Sequence, residues 1–108
     1  MWRTMVVLAA GVALVGVAAC RPRVDQDCVN ACEAENACPG ADQQPCNDLC
    51  AAVPDECAED HAAYWGCAAA NLDQACDSYP ACGEQFSRLA VCIDAWCLTH
   101  PLDAACYY

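Results

Sequence analysis

The sequence predicts an all-α domain, four helices arranged as two disulfide-stapled hairpins behind an N-terminal leader. Three observations predict it. Thirteen cysteines occur in 108 residues, about 12%, the density of a disulfide scaffold in a short exported chain. Apolar residues recur at three- and four-residue intervals, with no alternating stretch to favour a strand. Prolines and glycines cut the chain into segments of helical length. Large aliphatics after position 20 are few: Leu49, Leu72, Leu89, Ile93, Leu98, Leu102 and four valines. A core that thin needs covalent staples.

The first helix is expected over 25–37 and the second over 43–53. They carry "CVNACEAENAC" and "CNDLCAAVPDEC", two C-x3-C units offset by 18 residues. Cysteines four apart share one helix face. Between the units, "PGADQQP" signals a turn through Pro39-Gly40 and Pro45. Antiparallel facing then pairs Cys28 with Cys50 and Cys32 with Cys46. The arrangement resembles the twin C-x3-C hairpin of small mitochondrial import chaperones. The resemblance implies hairpin geometry over about 23 residues; Cys38 and the prolines depart from that pattern, and no chaperone activity is carried over.

Pro54 stops the second helix and, with Asp55-Glu56, opens a third over 55–75. Proline suits the first helical position, and acids there face the positive end of the helix dipole. Its stripe is Cys57, His61, Tyr64, Ala68 and Leu72. "DSYPACG" (77–83) reads as a turn. A fourth helix over 84–98 has the cleanest amphipathic stripe of the chain: Phe86, Leu89, Ile93, Trp96 and Cys97. Pro101 ends it, and 102–108 forms a tail pinned by Cys106. In this second hairpin Cys76 and Cys82 flank the turn and are expected to pair, with Cys67 facing Cys92. Cys38, Cys57, Cys97 and Cys106 are left without assigned partners.

The leader explains why an apolar run ends on a cysteine. Met1-Trp2-Arg3-Thr4 is a positive head, and "MVVLAAGVALVGVAA" (5–19) is uncharged. As a helix it spans about 22 Å, short of a hydrocarbon core of about 30 Å, and suits a signal-peptide apolar region. Val17-Ala18-Ala19-Cys20 resembles a bacterial lipobox. That resemblance implies cleavage before Cys20, a diacylglycerol on its thiol and an acyl chain on the new amino group; the alternatives are ordinary secretory cleavage after Ala19, which Val-Ala-Ala also suits, and an uncleaved anchor. Two or three chains anchor stably where one does not, at about 0.8 kcal/mol per buried CH₂. The domains expected are a lipoprotein signal peptide over 1–19, a lipidated cysteine and short tether over 20–24, and a cysteine-rich helical domain over 25–108. Setting Cys20 aside leaves twelve cysteines, an even number, in a compartment where disulfides form. Arg21 follows Cys20 where some lipoproteins carry an inner-membrane retention aspartate, so the outer membrane is favoured over the inner.

The formal net charge is −11, and the chain has no lysine. That excludes nucleic acid and anionic membrane surfaces as electrostatic partners. No C-x-x-C occurs, so zinc-ribbon, iron–sulfur and thioredoxin-like signatures are missing. The only serines are Ser78 and Ser87, neither in G-x-S-x-G. His61 is expected to pack on Tyr64 and Trp65, and His100 to cap a helix end. Asp55-Glu56 and Glu59-Asp60 have the composition of a calcium ligand set but sit in a helix first turn, and no EF-hand loop exists. Tyr64 and Trp96 are expected in the core. Trp65, Tyr107 and Tyr108 are the better candidates for an exposed partner contact. The whole resembles small cysteine-rich bacterial lipoproteins without assigned activity. The expected function is a membrane-anchored, non-enzymatic envelope protein with a binding or structural domain, no metal or cofactor beyond the lipid at Cys20, and a possible envelope protein partner. The alternatives are a metal-sequestering protein and a small thiol oxidoreductase.

Overall fold

In the computed structural model, which describes residues 24–107, the regular structure is all helical and no strand occurs among those residues. The leader, Cys20, the tether up to Arg23, and Tyr108 lie outside them. The described residues form four α-helices: α1 (Gln26–Asn36), α2 (Cys46–Ala51), α3 (Ala58–Ala69) and α4 (Gly83–Thr99). Short 3₁₀ turns at Asp55–Cys57, Leu72–Asp77, Pro80–Cys82 and Ala104–Cys106 connect or follow them.

Asp25 starts α1, its carboxylate accepting from the amides of Asp27 at 3.0 Å and Cys28 at 3.5 Å. Such a cap satisfies amides that have no partner within the helix. After α1, Cys38 to Ala41 form a turn closed by the Ala41 amide on the Cys38 carbonyl, with Gly40 at φ +74°. Glycine takes that left-handed position without a Cβ clash. Asn36 clamps the rest of the connection: its side-chain amide donates to the Gln44 carbonyl at 3.0 Å and its oxygen accepts from the Gln44 amide at 2.9 Å. The second helix is shorter than its expected span. Pro45 and Pro54 push the residues before them out of the helical region, so only 46–51 are helical.

The third segment also differs from expectation. Its α-helix starts after the Asp55–Cys57 turn and ends at Ala69. The Asn71 side chain donates to the Cys67 carbonyl at 2.8 Å and takes over an acceptor at the helix end. Cys57, His61, Tyr64 and Ala68 are buried as the stripe predicts, but Leu72 is exposed. The chain then passes two consecutive left-handed residues, Ser78 (φ 62°) and Tyr79 (φ 54°). Left-handed backbone costs free energy for a residue with a Cβ. Here Tyr79 is locked from both sides. Its ring is 1% exposed and its hydroxyl donates to the Ala31 carbonyl of α1 at 2.7 Å. Gln74 holds the corner from outside, its carbonyl accepting from the Tyr79 amide and its side-chain oxygen from the Ala81 amide.

Six disulfides join the twelve described cysteines. Cys28–Cys50 and Cys32–Cys46 close the first hairpin, the two pairs that antiparallel facing gives. The second hairpin is joined by Cys57–Cys92 and Cys67–Cys82. The expected pairs Cys67–Cys92 and Cys76–Cys82 are therefore corrected. Those pairs assumed a hairpin folded about Tyr79; because α3 stops at Ala69, both real bridges are symmetric about a point between Gln74 and Ala75. Cys76 instead bonds Cys38, tying the end of α1 to the turn after α3. Cys97–Cys106 closes the tail onto α4.

The core lies where α1 crosses α3 and the Tyr79 corner. It is built from Cys28, Val29, Ala31, Cys50, Tyr64, Trp65, Ala68, Ala75, Tyr79 and Cys82. Sulfur and alanine dominate it, so backbones approach closely and the bridges supply what aliphatic burial does not.

Candidate functional site

Helix α1 repeats its inward face every three to four residues, so Cys28, Cys32 and Glu35 fall on one side. The first two are consumed in disulfides. Glu35 is left as a half-buried carboxylate at the C-terminal end of that face. Helix α3 has neighbours on two sides, α1 and α4, and so buries two adjacent aromatics, Tyr64 and Trp65. Helix α4 delivers Phe86 and Leu89 from its first turns.

These side chains and Ser78 line an open cleft of about 490 Å³, within the size range of small-molecule sites. Its three rings are inclined to one another. Tyr64 meets Trp65 edge-on at 4.7 Å and 70°, and meets Phe86 at 5.4 Å and 62°. Such edge-to-face contacts stabilise aromatic pairs beyond their buried area. Phe86 is 55% exposed and forms the rim, while Tyr64 and Trp65 form the floor. Burial raises the Glu35 carboxyl above the usual carboxylate range. Burial, then the Glu35 charge, raises the Tyr64 phenol. The same two causes, followed by Tyr64, push Tyr79 up to about 12. Glu35 takes part in no ion pair among the described residues. Arg88, the one described arginine, is paired with Glu84.

The other expected residues are placed as follows. His61 is buried against Trp65, ring centroids 6.2 Å apart, with Nδ1 3.7 Å from the Asp25 carboxylate. Burial lowers its pKa, and Asp25 partly restores it. Trp65 is a correction: it was expected exposed and is buried, because α3 packs on two sides. Tyr107 is exposed, its hydroxyl donating to the Pro101 carbonyl at 3.3 Å, and Tyr108 lies outside the described residues. Trp96 is a second correction: expected in the core, it is half-buried and outside the core cluster, because α4 lies at the edge of the domain, and it stacks flat on His100 at 3.5 Å. His100 is the residue that ends α4, its amide donating to the Trp96 carbonyl. Cys20 lies outside the described residues. The acid pairs sit in the Asp55–Cys57 turn and the first turn of α3. Among the described residues no three His, Cys, Asp or Glu side chains are grouped to hold a metal ion, and the twelve sulfurs are already bonded to one another.

Sequence reasoning missed Glu35, Phe86 as a rim residue, and the Ser78-Tyr79 corner. The signal for Glu35 was present: a carboxylate three residues beyond Cys32 on the stapled face. Phe86 carried a misleading signal, because a stripe on a peripheral helix reads like a core stripe. Tyr79 carried none, since a turn has no period.

No helix among the described residues is long and apolar enough to cross a membrane. Compared with protein-family models, curated proteins and solved structures, the chain finds no match.

Proposed function

We propose that this is a lipid-anchored protein of the bacterial cell envelope whose rigid helical domain binds rather than catalyses. In this reading Cys20 carries the lipid, residues 21–24 are the tether, the outer membrane is the destination, and nucleic acid is not a partner. One observation carries it: every cysteine from Cys28 to Cys106 is joined within the domain, which leaves Cys20 alone to take another modification. Bonded sulfurs also weigh against metal sequestration and thiol exchange, since both need thiolates. The stapled helices hold the aromatic cleft as a ready binding surface, and its lining offers a carboxylate, two hydroxyls and three rings.

Intact mass spectrometry of the protein purified from a bacterial host tests this reading. The expected mass begins at Cys20 with a diacylglycerol and an acyl group added. Alkylation without reduction adds nothing, and alkylation after reduction labels all twelve remaining cysteines. A mature chain without lipid, or one with reactive thiols before reduction, overturns it.

A further inference from the structure

We infer that the cleft between α1, α3 and α4 is a binding site for an organic ammonium group, with Glu35 as its counter-ion and Tyr64, Trp65 and Phe86 as its aromatic wall. The inference rests on the binding reading above and names the chemistry of the ligand.

Four observations select that class. A carboxylate and three aromatic rings line one open space, and the faces of aromatic rings attract cations. The rings are inclined at 62° and 70°, so they do not stack into one flat surface, and Phe86, 55% exposed, stands at the mouth of the cleft over the buried Tyr64 and Trp65. Glu35 is partly desolvated without a cationic partner among the described residues, a costly state for a charge that a bound cation relieves. The chain carries a formal net charge of −11, which raises the local concentration of cations.

Other cations fit less well. A metal ion of the calcium or magnesium type requires about six or more oxygen ligands, and the lining has one carboxylate and the two hydroxyls of Ser78 and Tyr64. A simple strongly hydrated ion gains little from apolar walls. A weakly hydrated alkylammonium gains from both the rings and the carboxylate. A cleft of about 490 Å³ exceeds what a trimethylammonium group fills, so the ligand carries a further substituent. Such a group is found on free solutes and on lipid headgroups, and the two share this chemistry.

The test uses the full lipidated chain reconstituted in phosphatidylglycerol vesicles and titrated calorimetrically with choline chloride. Saturable binding is expected. The neutral isostere 3,3-dimethylbutan-1-ol should bind at least tenfold more weakly. Glu35→Gln should weaken choline at least tenfold. Phe86→Ala, at a mostly exposed rim position where the fold tolerates truncation, should weaken it at least threefold. Asp48→Asn, an exposed acid on α2 outside the cleft lining, should leave it unchanged. Phosphatidylcholine in the vesicles separates the sources: competition with choline assigns the site to a headgroup, and its absence assigns it to a free solute. Equal binding of choline and its isostere, unchanged affinity in Glu35→Gln, or no saturable binding in either vesicle overturns the inference. A lipidated chain that ignores choline fails here alone. An unlipidated chain that binds choline fails only the anchoring reading.

Discussion

Helices α1 and α4 make opposite use of their apolar residues. The first is alanine- and cysteine-rich with acids interspersed, yet it buries Cys28, Val29, Ala31 and Cys32 completely or nearly so. The second has the better amphipathic stripe and no fully buried residue. Phe86, Val91 and Leu98 are 55%, 69% and 84% exposed. In a domain this small, small side chains and sulfur let α1 sit deep between its neighbours. Large side chains on α4 cover that unit from one side, and bridges from Cys57 to Cys92 and from Cys67 to Cys82, just before the helix, hold it in place. Amphipathicity therefore marks the covering helix, while cysteine spacing marks the centre.

The largest expected effect breaks the centre. Replacing Cys28 and Cys50 together by alanine opens a 22-residue separation between two buried sulfurs and should cost about 4 kcal/mol in urea unfolding. The matching change at Cys97 and Cys106, separated by 9 residues at the edge of α4, should cost about 2.5 kcal/mol or less. Equal losses would erase the contrast between the two helices. Tyr79→Phe is next, removing the hydroxyl that the Ala31 carbonyl accepts from. It should cost about 1 kcal/mol by the same measurement.

A pH series sharpens the contrast further. His61, beside the cap of α1, has its pKa lowered from 6.5 by burial. The unfolded chain therefore binds a proton that the folded one resists. The His61 contribution to stability should be fully present above pH 6.5 and fall as the pH drops below it, and Asp25→Asn should steepen that loss by removing the carboxylate that favours the charged ring. His61→Gln should flatten that part of the curve. Smallest of all, Val91→Ser and Leu98→Ser on the exposed side of α4 should each change stability by less than about 0.5 kcal/mol.

How much of this was legible depends on whether a feature has a period. The helical class, the first hairpin and its two bridges follow from two C-x3-C units and a Pro-Gly turn. The second hairpin carried the same kind of signal in a longer form. Cys57 and Cys67 are ten residues apart, and so are Cys82 and Cys92, so equal intervals pair them in antiparallel order. Expecting helix through 75 hid that symmetry, because nothing in the apolar pattern announces that Asn71 will cap at Cys67. The cleft was less legible. Glu35 lay on a readable face, but Phe86 and Ser78 reach it only through the left-handed corner at Ser78-Tyr79. That corner depends on a hydrogen bond to Ala31, 48 residues away.

Matched cysteine intervals also determine where the gene can gain or lose codons. An extra residue among Ala41–Gln43 lengthens the link between α1 and α2 and leaves the spacing within each C-x3-C unit intact. The same residue between Cys28 and Cys32 turns one sulfur about 100° away from its mate and leaves it without a partner. Length variation should therefore be confined to the connecting bends, with the helices that bear paired sulfurs kept at constant length.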